Sequence, residues 1–404
     1  MSSQAELLVR ATLPAVVERG TEISSVFYDR MFAAHPSLLN VFNRGNQANG
    51  DQRQALAMAV VACAAHLVDG DDASGFEPMT RRIAHKHASL GIRPDQYAIV
   101  GRYLLGAVDS VLGDAVTAEV HAAWDEVYWA FATALVAAEG ELYKWSGVDM
   151  ARPWRPWQVA GRTPAGEDVV ALELVPADGG PIPEFRPGQY VTVNVELSPG
   201  NHQPRQYTLC RGPGRPSLQI TVSRERGDAG APDGMVSCHL HDALRVGDVL
   251  SVSYPFGDVT LDESDDPLLL ISAGVGVTPM AAIIDHLGRS RPARPVVAAH
   301  ADHASGTHPL RDQVREAARL LNHYEELTWY GELTATDRRA GVRQGRMDVY
   351  SLPLADDATT YVCGPLAFLS ATVDGLLGRG VAAERIHYEI FGPDLFASRF
   401  SRPA

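Results

Sequence analysis

The sequence predicts a multidomain protein: an all-α domain, then an antiparallel β-barrel, then an α/β domain built on a parallel sheet. Three observations carry this. Up to residue 146, apolar residues recur at three- and four-residue intervals, as in Ile99, Val100, Tyr103, Leu104 and Val108, the period of an amphipathic helix. Beyond residue 157 the period falls to two, in 190–195 and 218–223, as half-buried strands require. From residue 264 onward, apolar runs at 268–271, 295–300 and 360–363 alternate with helix-like segments. That alternation marks parallel strands joined by crossover helices.

Taken in order, residues 1–146 form several helices. Breaks fall at Pro36, 45–50, 70–78, 91–94 and Gly113. The stretch 147–156 reads as an interdomain linker because two prolines sit in a short polar and aromatic run. The barrel then occupies 157–263 and the α/β domain 264–404. A chain of 404 residues suits two to three domains, each long enough to bury a core.

Net charge is −14, which argues against a nucleic-acid or anionic-membrane surface. Cys63, Cys210, Cys238 and Cys363 show no CxxC spacing and read as reduced thiols. The N-terminus lacks a signal-peptide core. No stretch approaches the roughly 20 apolar residues of a membrane span. The expected location is the cytoplasm.

Two motifs in the second half carry chemistry. Arg205-Gln206-Tyr207-Thr208 puts a guanidinium and an aromatic ring on alternate residues, so a strand presents both to one face. That pair suits a flavin, whose pyrophosphate takes arginine and whose ring stacks on an aromatic. Gly274-Val275-Gly276-Val277-Thr278-Pro279 lies between an apolar run and a helix-like segment. Such a loop lets backbone N–H groups meet a dinucleotide pyrophosphate at a helix N-terminus. Together the motifs point to a module moving electrons from nicotinamide to flavin, with the electron acceptor in the helical domain.

In that helical domain, His85 and His87 stand two residues apart, about 200° apart on a helix. His87 shares a face with Ile83 and Leu90, whereas His85 goes with Arg81, Arg82 and Ser89. His87 is therefore the inward one, with His66 a rival ligand on another apolar face. Tyr28 aligns with Met31 and Phe32, and Gln52 with Leu56, Ala59 and Cys63. Taken alone, these read as an ordinary buried histidine, a tyrosine bonded to a carbonyl and a surface glutamine at a helix start.

The chain resembles the flavohaemoglobins. The motifs that carry the resemblance are Phe27-Tyr28-Asp29-Arg30-Met31-Phe32, Val41-Phe42-Asn43, Asn49-Gly50-Asp51-Gln52-Arg53, Ile83 to His87, Gln96-Tyr97 and Glu141-Leu142-Tyr143, followed in order by those of the second half. In that family the helical domain is a globin. The resemblance implies that His87 is the proximal ligand of haem b, with Tyr97 and Glu141 hydrogen-bonding around it. A carboxylate there pushes electron density onto iron. It further places Tyr28 over the iron with Gln52 and Leu56 nearby, Phe42 against the haem edge, and Lys86 beside the ligand.

In the flavin domain it makes Arg205, Tyr207 and Thr208 the FAD motif, with Thr where Ser is usual. Gln189 and Tyr190 lie on the strand before it, and Gly234-Met235-Val236-Ser237 is a helix start whose N–H groups and Ser237 hydroxyl hold the pyrophosphate. Gly274, Gly276, Thr278 and Pro279, with Cys363-Gly364-Pro365, form the nicotinamide-nucleotide site. Glu389 lies near the hydride path and Phe391 covers the flavin. The segment 301–308 has no Arg or Lys for a 2′-phosphate, which favours NADH over NADPH, although His303 and His308 remain candidate phosphate contacts.

The expected function is a nitric oxide dioxygenase. NAD(P)H electrons pass through FAD to haem b, O2 and NO are the small-molecule partners, and nitrate is the product. The expected protein is a monomer. Two alternatives stand beside it: an NAD(P)H diaphorase or flavin reductase with a passive haem, and an O2 or NO redox sensor.

Overall fold

In a computed structural model, residues 1–43, 50–69, 76–227 and 232–392 are described. Gly45 and Asn49 from the expected break and motif lie outside them, as do 70–75. Among these residues two compact units emerge: 1–153 with 198–204 and Gly392, and 154–197 with 205–391.

The first unit is helical. Its long helices are Ser3–Ala34, Asp51–Asp69, Phe76–Leu90, Pro94–Leu112 and Ala118–Ser146. Local chemistry sets their ends. Ser2 Oγ accepts from Ala5 N, and Thr117 caps the last helix by accepting from Val120 N, each satisfying a donor the helix leaves open. Pro94 starts its helix at the first turn, where a missing N–H costs nothing. Gly147 ends the last helix in the left-handed conformation. Phe27, Met31, Val108, Trp124 and Leu135 are buried in one core. Each such side chain contributes about 1.5–3 kcal/mol.

After the helices the chain forms two six-stranded sheets. The first is antiparallel, in the order β4 (Asn201–Thr208), β3 (Tyr190–Ser198), β6 (Val249–Ser253), β1 (Trp154–Gly166), β2 (Val169–Pro176) and β5 (Leu218–Ser223). A bridge between Leu209 and Ile220 joins the end strands, closing the barrel around Trp157, Leu172, Val191 and Ile220. The second sheet is parallel, in the order β10 (Arg343–Gln344), β9 (Tyr324–Tyr330), β8 (Val296–Asp302), β7 (Leu268–Ala273), β11 (Thr359–Cys363) and β12 (Ile386–Glu389). Its strands follow one another outward from β7 to β10. The chain then returns to the other side of β7 with β11, so the order reverses between β7 and β11.

The linker is shorter than the sequence suggests. The last helix ends at Ser146 as expected, but β1 begins at Trp154. Trp154, Arg155 and Pro156 pair with Ser253, Val252 and Ser251. Pro156 joins because its carbonyl still accepts, from Ala177 N at 3.0 Å. The four cysteines are free thiols. Among the described residues, no helix is long and apolar enough to cross a membrane.

Candidate functional site

The helical unit gathers three polar side chains from three helices. His87 stands near the end of the helix Phe76–Leu90, Tyr97 in the first turn of Pro94–Leu112, and Glu139 on Ala118–Ser146. The short turn between the first two helices holds Tyr97 within reach of His87. His87 Nδ1 donates to Glu139 Oε1 at 2.8 Å, with the Tyr97 oxygen 2.9 Å from the same nitrogen. Tyr97 also donates to Glu139 Oε1, at 2.5 Å. Two further tyrosines of the Glu139 helix brace the Tyr97 helix. Tyr128 donates to the Tyr97 carbonyl and Tyr143 to the Ile92 carbonyl.

The carboxylate is thus Glu139, and the expectation for Glu141 is corrected. Glu139 is 2% exposed, aligned with buried Leu135 and Tyr143 one turn on either side. Glu141 is exposed, because two residues along a helix turn a side chain about 200°. The face argument that separates His87 from His85 also separates Glu139 from Glu141, and the two glutamates are legible in the sequence by that test. Burial, then the Glu139 charge, pushes the Tyr97 phenol far above its ordinary pKa, so it stays a donor. A buried carboxylate is costly without partners. Here one oxygen takes both donors, while Oε2 is buried with no protein donor among the described residues.

This arrangement fits a haem. Nδ1 of His87 is occupied, which fixes the ring and leaves Nε2, on the other side of the ring, for iron. Phe42, Leu56 and Ile83 belong to the helical core yet stay partly exposed, apolar surface suited to a flat apolar group. Tyr28 is buried at 4% exposure, packed against Phe27, Phe32 and Phe42 at ring distances of 4.7, 5.5 and 5.8 Å. Gln52 opens the next helix and is half-buried. The rival ligand His66 stacks on Phe76 at 4.4 Å. Ser89, grouped with the outer face, is instead buried and donates to the Lys86 carbonyl. Lys86 Nζ donates to the Gly392 carbonyl at 2.9 Å.

In the barrel, burial pulls the Arg205 guanidinium below its ordinary pKa, with Tyr207 opposing. A desolvated cation of this kind gains from an anionic partner. Tyr207 packs against the barrel core and Thr208 is buried. Gln206 donates to Thr192 Oγ1 at 3.3 Å. Gln189 Oε1 accepts from Arg186 N, holding the turn before Tyr190, whose backbone pairs with Phe256. Gly234 begins the helix Met235–Asp242 with no side-chain cap, which leaves backbone N–H groups at its start, and Val236 is buried there. Ser237 departs from expectation: its hydroxyl donates to the Gly234 carbonyl and accepts from Glu225 N, both at 3.1 Å. It closes the loop instead of facing outward, so anion contact there falls to the backbone.

At the reversal between β7 and β11, the loop Gly274–Gly276 meets the end of β11. A Cβ on Gly276 would lie 2.6 Å from the Cys363 carbonyl carbon and 2.8 Å from Gly364 N, closer than real atoms approach. Pro279, buried with Thr278, follows in the first turn of the next helix. Open α/β sheets bind ligands at such a reversal point. Gly276→Ala should therefore force the two loops apart and abolish binding of a dinucleotide at this point, which calorimetric titration with NADH checks.

The Cys363 thiol is fully buried, and burial and then Glu389 push its pKa well up, so it is a packing group. Glu389 stands beside it in register. Pro365 caps the following helix, and Phe391 is 48% exposed. His308 is no phosphate contact: it is buried, stacked on His300 at 3.7 Å and bonded to Tyr330 at 2.8 Å. Burial drives its pKa far down, so it is neutral. His303 remains exposed, 3.5 Å from Glu332.

A helical domain with a carboxylate-oriented histidine, followed by a flavin-type barrel and a nucleotide-binding sheet, defines an NAD(P)H-dependent oxidoreductase. Comparison with known proteins agrees. Residues 25–135 match the globin family model and 270–374 the oxidoreductase NAD-binding domain model. The chain is 42% identical to the flavohemoprotein of Rhizobium meliloti (strain 1021), covering 96% of this chain and 98% of that protein. It is 37% identical to that of Bacillus subtilis (strain 168), covering 96% of each. Its structure is similar to the flavohemoglobin of Malassezia yamatoensis with bound FAD and heme, at TM-score 0.86, 33% identity and 97% and 99% coverage. The FAD/NAD-binding domain of a nitric oxide dioxygenase from Vibrio cholerae matches at TM-score 0.55 and 34% identity, covering 60% of this chain and 100% of that domain. The chain belongs to the flavohemoprotein family.

Proposed function

We propose that the chain is a nitric oxide dioxygenase that uses NADH, FAD and haem b to convert NO and O2 to nitrate. FAD, when bound, takes two electrons as hydride and releases them singly, and haem takes one at a time and supplies the O2-activating iron. The observation that carries the reading is the buried contact from His87 Nδ1 to Glu139. A carboxylate on the far ring nitrogen raises the basicity of the other, which favours O–O chemistry over simple carriage. Tyr97 holds the carboxylate oxygen in place.

Tyr28 is the second contributor. Its phenol is buried among three aromatic rings, and a donor fixed in a dry site stabilises charge that develops on oxygen. Arg205 and the start of the Met235–Asp242 helix hold the flavin diphosphate. The absence of Arg or Lys over 301–308, together with the burial of His308, favours NADH. The similarity to the Vibrio cholerae nitric oxide dioxygenase domain and to the FAD- and heme-containing Malassezia protein supports the same reading. The molecule acts as a monomer in the cytoplasm.

Tyr28→Phe tests it. NO consumption should fall roughly 100-fold, the usual cost of removing one charge-stabilising donor, and O2 should dissociate faster. Haem content and NADH-to-flavin reduction should be unchanged. Unchanged NO turnover would remove Tyr28 from the reaction.

A further inference from the structure

We infer that Asp285 is a positioning residue for hydride transfer, a clamp that sets the distance between the flavin strand and the nucleotide loop. This rests on the reading that β4 holds flavin and Gly274–Gly276 holds the nicotinamide nucleotide. Asp285 lies on the helix Val277–Ser290, which starts directly after that loop. It is 5% exposed although it is a carboxylate. Two of its partners, Gly212 and Arg215, lie on the segment that leaves the flavin strand, and a third, Arg289, lies on its own helix and reaches the same segment. Gly212 N, four residues after Thr208, donates to Asp285 Oδ2 at 2.9 Å. Arg215 pairs with Oδ1. Arg289, one turn further along the same helix, donates to Oδ2 and to the Pro213 carbonyl, both at 3.0 Å.

The backbone is fitted to this contact. A Cβ on Gly212 would lie 2.8 Å from His286 Cβ and 2.9 Å from His286 Cα, so glycine is what lets the segment lie against the helix. Gln313 extends the seam by donating to the Cys210 carbonyl at 3.2 Å. A helix is a stiff rod that rises about 1.5 Å per residue. Its nucleotide end is therefore held by the grip eight residues away. The step it serves moves a hydride, a proton with two electrons, from the dihydronicotinamide, which is oxidised, to the flavin, which is reduced. Misplacement by about 1 Å costs such a step on the order of 100-fold.

The test compares Asp285→Asn and Gly212→Ala in the full-length holoprotein with wild type. Asp285→Asn removes the charge, whereas Gly212→Ala wedges the seam and keeps every charge. Flavin content, NADH affinity and the limiting rate of flavin reduction are measured by stopped flow, with the long-wavelength flavin–nicotinamide absorbance as a readout of stacking. Both variants should keep flavin and bind NADH within about threefold, while the limiting rate falls 10- to 100-fold and the stacking absorbance is lost. A wild-type limiting rate in either correctly folded variant overturns the clamp, as does a loss confined to flavin content or melting temperature. Failure of NADH and NADPH to reduce wild-type flavin overturns the underlying reading instead.

Discussion

Glu139→Gln should lower NO consumption about 10- to 100-fold, the usual cost of losing a group that orients a metal-bound histidine, while Glu141→Gln should change nothing. The amide keeps the volume and can still accept from Tyr97, but it carries no charge to draw the His87 N–H. The ring then loses both its fixed orientation and its added basicity. Glu141 is exposed on the far side of the helix and touches neither group. Turnover of NO with excess NADH, alongside the iron–histidine stretching band, checks the pair. Equal losses in both variants, or a loss in Glu141→Gln alone, would restore the sequence expectation and contradict the geometry.

His87→Ala should abolish haem binding and leave FAD binding intact. On the proposed reading the histidine provides the nitrogen on which the helical unit would hold iron, whereas the flavin motif Arg205 to Thr208 lies in the other compact unit. NADH should still reduce the flavin and pass electrons to ferricyanide at the wild-type rate, with NO consumption lost. His66→Ala should keep its haem, because that ring is stacked on Phe76. The haem-to-flavin absorbance ratio decides this. A haem-loaded His87→Ala protein with the wild-type spectrum would transfer the ligand role to another residue.

Much of this was legible in the sequence because it is local. Helical period, alternation, and the loop from Gly274 to Pro279 are read within a few residues, and they give three architectures in the right order. The choice of His87 over His85 rests on the same short-range arithmetic. Applied to the last helix, it picks Glu139, whose neighbours one turn away are Leu135 and Tyr143. The family motif Glu141-Leu142-Tyr143 points to Glu141 instead. The start of β1 was obscured because Pro156 reads as a breaker, yet a strand accepts a proline whose carbonyl is the group in use. What the sequence conceals is long-range. Nothing near Asp285 announces Gly212 or Arg215 some 70 positions away, nothing near Gly276 announces the Cys363 carbonyl, and the engagement of Ser237 with Glu225 depends on how a loop closes.

The dioxygenase reading stands or falls on following NO, NADH and nitrate together in aerobic buffer, on protein loaded with haem and FAD. Fast NO loss is expected, with one nitrate formed per NO and one NADH consumed per two NO, because the reaction takes one electron each time and NADH supplies two. NADH oxidation at a rate indifferent to NO, with no nitrate formed, would contradict it and leave a diaphorase carrying a haem outside its main reaction.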